Sequence, residues 1–197
     1  MRSEAPALAP IFRSRHQADL LAWLLLHPGQ EFTVTELAGR LGVPLTTLHR
    51  ETQRLIESGL LTGRSVGRSR LLAANMDNRA AEPLARLLEV TVGPRVVVED
   101  EFAELDGAGR VMIFGSWAAR YHGAAGLPPG DIDVLVVGTP DRGEVYAASD
   151  RAQERLGIQV NPVVRTAEQW TSGSDALSEE IQSSPVVVVR DDAQDAA

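Results

Sequence analysis

Apolar residues in the first sixty ordered-looking positions recur three and four apart, in three segments divided by turn residues. The first segment predicts a helix from Ser14 to His27, closed by Pro28 and Gly29. Thr33 and Glu36 form a T-x-x-E capping box, in which hydroxyl and carboxylate satisfy orphan amides at a helix start. The helix so begun carries Val34, Leu37, Ala38 and Leu41 and stops at Gly42. A third helix is expected over Leu45 to Ser58, ending at Gly59. Leu60 to Asn75 then reads as a β-hairpin, with Gly63 and Gly67 as its turn residues.

A linking helix is expected over Ala80 to Thr91, and Gly93-Pro94 marks a domain boundary. Beyond it, strands alternate with helices. The pattern predicts a helix over Val96 to Leu105, a buried strand over Val111 to Phe114 and a helix over Ser116 to Tyr121. It continues with a strand over Ile132 to Val137, a helix over Gly143 to Leu156 and strands over Ile158 to Val164 and Val186 to Val189. The expected architecture is α+β in two domains, residues 1–92 and 93–197. The Ala/Pro-rich start, Met1 to Pro10, is expected to fray, and the acidic end, Asp191 to Ala197, to be disordered.

Composition narrows the function classes. The 197 residues are 44% apolar and 23% charged, which suits a globular chain. The longest apolar run, Leu20 to Leu26, is too short to span a bilayer, and no secretion leader is visible, so the cytoplasm is the expected location. Absence of cysteine excludes disulfides, thiolate catalysis and zinc fingers. The net charge of -8 is unevenly distributed. Up to Val92, 11 arginines stand against 9 acidic residues; from Gly93 on, 8 stand against 18. Such asymmetry fits a first half that faces phosphate and a second half with another task.

On the third helix Leu45, Leu48, Thr52, Leu55 and Ile56 share one stripe, expected to pack on the first two helices, with His49 at its boundary. Thr46, Thr47, Arg50, Gln53 and Arg54 fall opposite, a chemistry suited to base edges and phosphates in a major groove. The hairpin adds Arg64, Arg68 and Arg70. Three helices followed by a hairpin is the winged-helix order. The stretch from Thr33 to Asn75 resembles the winged-helix domains of bacterial and archaeal ArsR- and MarR-type regulators, over roughly residues 14 to 76. Pro44 stands where such proteins often place a Ser or Thr cap. The resemblance implies binding to double-stranded DNA, as a homodimer on a two-fold site.

In the second half, VMIFGSWAARYHGAAGLPPGDIDVLVVG (residues 111 to 138) runs an apolar strand into Gly115-Ser116 and a helix. Asp131 and Asp133 then open the next strand and project from one side of it, a hard-oxygen pair suited to Mg²⁺. Gly115 allows close backbone approach, and Ser116 at a helix start can meet phosphate. The order and spacing resemble the GS-then-DxD signature of the minimal nucleotidyltransferases of the polymerase β superfamily, over roughly residues 95 to 190. That resemblance implies Gly115 and Ser116 on the triphosphate of an NTP such as ATP, Arg120 near it, and Asp131 and Asp133 as metal-holding catalytic residues. Arg120 is displaced by one position from the family's usual arginine. The third carboxylate of active members falls at Asn161, whose amide cannot act as a general base. Trp23, Trp117 and Trp170 are expected to pack, and His16, His27 and His122 to be structural or surface residues. Three functions stay open: a DNA-binding regulator with a nucleotide-binding domain, an antitoxin-type transferase moving NMP from ATP to a partner protein or toxin, and a non-catalytic adaptor. None of them involves a membrane.

Overall fold

A computed structural model describes residues 12–173 and 175–192. The expected frayed start, Met1 to Pro10, and the tail beyond Asp192 lie outside the described residues. The chain divides into two units, Met1–Gly93 and Pro94–Ala197.

The first unit is built around α1 (Arg15–Leu26), started by Ser14, whose side chain accepts from the Gln17 amide. Every residue from Leu20 to Leu26 is buried, because this helix is enclosed on several sides rather than along one stripe. It packs on α2 (Val34–Leu41), on β3 (Ser69–Ala74) and on α4 (Ala81–Val92). The capping box at α2 is formed in full: the Glu36 amide donates to the Thr33 hydroxyl, and the Thr33 amide donates to the Glu36 carboxylate at 2.7 Å. α3 (Leu45–Glu57) follows, then β2 (Leu61–Val66) and β3, joined at Gly67-Arg68. A short strand that the pattern does not reveal, β1 (Phe32–Thr33), pairs with Leu71 and Leu72, giving an antiparallel sheet of order β1-β3-β2. Two residues hold no detectable periodicity, so only the pairing defines this strand.

Gly63 is not a turn residue. It lies within β2 opposite Leu72, and a Cβ there would come within 2.8 Å of the Arg70 Nε. Its bareness lets the Arg70 side chain cross the hairpin.

The second unit starts with α5 (Pro94–Phe102) and builds a four-stranded sheet from β4 (Ala108–Phe114), β5 (Asp131–Gly138), β6 (Gln159–Arg165) and β7 (Val187–Asp191), in the order β6-β5-β4-β7. β4 runs antiparallel to β5 and β7, whereas β5 and β6 are parallel and joined through α7 (Arg142–Leu156). α6 (Gly115–Tyr121) links β4 to β5. Two further helices were not expected, α8 (Ala167–Ser172) and α9 (Ala176–Ser183). Their Trp170, Leu177 and Ile181 pack with Met112, Leu135 and Val137. That is the side of β5 from which Asp131 and Asp133 also project. Both helices are short and polar along most of their length, so the helical period is weak in sequence.

The acidic end is ordered further than expected. Asp191 closes β7, is buried, and pairs with Arg110 at 2.7 Å, while Asp192 pairs with Arg190. A run of acidic residues suggests solvation; here one neutralising arginine, Arg110, comes from the neighbouring strand β4 and the other, Arg190, from β7 itself. Among the described residues no helix is long and apolar enough to cross a membrane.

Thr33→Ala removes one half of the α2 capping box and is expected to lower the stability of the first unit by about 1 kcal/mol, read from the denaturant midpoint.

Candidate nucleic-acid interface and carboxylate site

The solvent face of α3 is turned relative to the one its hydrophobic period implies. Leu48, Thr52 and Leu55 are buried as expected, and Ile56 is half-buried. Leu45, however, is 43% exposed, and Glu51 takes its place in the interior at 5% exposed. A buried carboxylate needs partners. Glu51 has them in Arg54, at 2.9 Å, and in Gln17 of α1, at 3.4 Å. The ordering of α1 and α3 around this acid rotates the outward arc toward Leu45, Thr46, His49, Arg50 and Gln53, all exposed. His49 is thus a solvent-facing residue rather than a packing one. Thr47 and Arg54 lie half-buried at the edge of that arc.

The residues of the expected DNA-binding face differ in what already holds them. Arg54 is committed to Glu51. Gln53 is tied at both ends of its amide, accepting from Arg70 at 3.1 Å and donating to Glu57 at 2.9 Å. Arg64 forms a two-pronged pair with Glu31, which lowers the Glu31 carboxyl pKa through the hydrogen bond and the nearby positive charge, and raises that of Arg64. Arg50 on α3 and Arg68 at the hairpin tip are exposed and have no ion-pair partner among the described residues. The Arg70–Gln53 bond ties the hairpin to α3, so both arginines belong to one surface formed by joined elements.

In the second unit the sheet register assembles the expected carboxylate site. Asp131 and Asp133 stand on one side of β5, and parallel pairing sets Asn161 of β6 beside Asp133. The Asn161 amide donates to Asp131 at 3.2 Å and to Asp133 at 3.3 Å, and its oxygen accepts from Gln159 at 2.9 Å. Burial raises the Asp133 pKa above the ordinary aspartate value; the Asn161 bond works against this and the Asp131 charge adds to it. Gly115 opens α6 at φ +68, and a Cβ there would meet the Asp133 carboxylate at 2.9 Å. Only glycine lets the turn come so close. Ser116, next on α6, is exposed. Arg120 does not join them: it is 3% exposed and donates to the Gly126 carbonyl, holding the loop after α6. His122 faces the Val186 carbonyl at 3.1 Å. Among the described residues no third acid or imidazole gathers at the pair. The donor set therefore fits one hard cation through two carboxylates, with a neutral amide where a third charge would stand.

The first unit is a winged-helix domain of the DNA-binding, transcription-regulator type. Residues 13–70 match the family described as MarR family, a match that spans well under half of the 197 residues. Among solved structures, the chain is similar to reduced HlyU from Vibrio cholerae at 19% identity, covering 42% of this chain and 82% of that one, with a TM-score of 0.35. It is similar to a mutant form of ZitR of Lactococcus lactis at 17% identity, covering 52% of this chain and 64% of ZitR, just under two thirds, with a TM-score of 0.37. A third similarity, to the archaeal chromatin protein TrmBL2, has 14% identity over 86% of this chain and 69% of that one, with a TM-score of 0.30. No curated protein matches the chain.

Because Arg54 neutralises a buried acid, Arg54→Ala is expected to cost about 1–2 kcal/mol of stability, less than a fully buried pair because Arg54 is partly exposed. Arg50→Ala should leave the denaturant midpoint unchanged. Equal midpoints for the two variants would show that Arg54 has no such structural role.

Proposed function

We propose that the chain is a DNA-binding transcriptional regulator, gripping double-stranded DNA as a homodimer with α3 in the major groove and the β2–β3 wing on the flanking backbone. The observation that carries this is a pair of exposed guanidiniums, Arg50 and Arg68, without ion-pair partners among the described residues and on two elements tied together by Arg70 and Gln53. Arginine at such positions suits phosphate and guanine. The two-fold arrangement follows from how such helices read half-sites spaced one helical turn apart.

The second unit is read as a nucleotidyltransferase-like domain that binds nucleotide without transferring it. Its specific support is Asn161, bonded to both carboxylates, where a general base would be needed. Asp131 and Asp133 would hold Mg²⁺, and Gly115 and Ser116 would meet the triphosphate of an NTP, ATP first. A cation held there supplies charge neutralisation on the phosphates. Asn161 orients the two carboxylates, and it removes no proton from an attacking hydroxyl. Transfer of NMP to a protein or toxin partner is accordingly the less supported alternative, as is an adaptor using both units for protein contacts.

Anisotropy titrations of a labelled duplex of roughly 30 base pairs across salt concentrations test the first reading. Each lost phosphate contact lowers the slope of log K against log salt by about 0.9, so Arg68→Ala on the wing should lower it by about 0.9, while Arg50→Ala in the groove weakens binding. An unchanged slope would overturn the assignment. For the second unit, calorimetry with Mg²⁺ and ATP should show binding that Asp131→Ala with Asp133→Ala abolishes. Labelled ATP should leave no NMP on protein; transfer by the wild-type chain would restore the enzyme reading.

A further inference from the structure

Resting on the DNA-binding reading, we infer that Leu45, Thr46, His49 and Arg50 are the base-reading set of α3, and that they read a guanine lying near a thymine whose methyl they touch. Positions i, i+1, i+4 and i+5 form one ridge over the first turns of the helix. All four are exposed, although the hydrophobic period would bury Leu45. The N-terminal half of a recognition helix is the part that reaches base edges. Thr47 is half-buried at the edge of the ridge, and beyond Arg50 the polar side chains of α3 are already occupied: Glu51 and Arg54 by each other, Thr52 by the His49 carbonyl, and Gln53 by Arg70 and Glu57. Free chemistry on this helix therefore ends at Arg50.

The types on the ridge select the bases. Arg50 carries a planar fork of donors, matched to O6 and N7 of guanine in the major groove. Leu45 is 43% exposed at the very start of α3, a large apolar side chain in water, and Thr46 adds a methyl beside it. In the major groove the thymine C5-methyl is the apolar feature available to such a pair. His49, between them on the ridge, has a ring nitrogen for a purine N7. Arg50 lies five residue steps beyond Leu45, about 7.5 Å along the helix axis. That distance corresponds to about two base-pair steps of 3.4 Å. The thymine and the guanine are therefore expected about two base pairs apart.

The experiment is selection of duplexes by the full-length chain from a randomised pool, followed by atom-level changes in the selected duplex. Thymines are replaced singly by deoxyuridine, which lacks only the methyl, and guanines by 7-deazaguanine, which lacks N7. One deoxyuridine should weaken wild-type binding about threefold or more, and Leu45→Ser should no longer sense it. One 7-deazaguanine about two base pairs away should weaken the wild type about tenfold, and Arg50→Ala should be indifferent to it. Leu45 is exposed, so its substitution leaves folding intact, as an unchanged denaturant midpoint will verify. If the selected duplex outcompetes the pool yet tolerates deoxyuridine everywhere, the reading set is overturned while DNA binding stands. Salt-dependent binding without any selected sequence overturns it in the same way. Failure to bind any duplex overturns both this inference and the function on which it rests.

Discussion

The rotation of α3 about its own axis decides what the first unit can present to a partner, and that rotation is set by what the helix buries. Leu48, Thr52 and Leu55 enter the core, and Glu51 enters with them. An acid so placed is tolerated only when its oxygens are bonded. Arg54 from the same helix and Gln17 from α1 bond it. With Glu51 inside, Leu45 and His49 are left outside, and Arg54 is spent on the interior instead of the solvent. The outward chemistry of the helix follows from a polar contact in its packed side.

The same sorting runs through the wing. Of the arginines that a count of positive charge would assign to phosphate, Arg64 is held by Glu31 and Arg70 by Gln53, while Arg68 at the tip is exposed without an ion pair among the described residues. Intramolecular pairs are not wasted charge. Arg70 crosses a hairpin that Gly63 leaves bare and fixes the wing to α3, so that the arginines at the surface stand in a defined frame.

In the second unit the corresponding constraint is the parallel pairing of β5 with β6. It places Asn161 against Asp133, and through its amide against Asp131 as well. Two carboxylates of like sign at close range repel each other. A shared amide donor relieves that repulsion without adding charge. The turn at Gly115 then closes on the Asp133 carboxylate. In the proposed reading these residues would grip a phosphate and a cation, and the Asn161 amide beside them cannot take a proton.

Much of this was legible along the chain. The capping box at Thr33 and Glu36, the helix opening near Leu45, the hairpin turn at Gly67 and the alternation that sets Asp131 and Asp133 on one side are local rules acting on adjacent residues. Asn161 was reached only through the family resemblance, and the parallel β5–β6 register places it beside Asp133. The two-residue β1, the helices α8 and α9 and the ordered Asp191 were not legible, because each depends on a partner distant in sequence; the buried Arg120 was not, because a bond to a loop carbonyl leaves no side-chain pattern. The hydrophobic period of α3 carried its helix but not its rotation. A period counts apolar side chains, whereas Glu51 is buried because Gln17 and Arg54 meet it there. The sequence by itself determined which elements form and which chemistry they carry; the tertiary structure alone decided which of those side chains are already bonded inside the protein, and so which are left to meet a ligand.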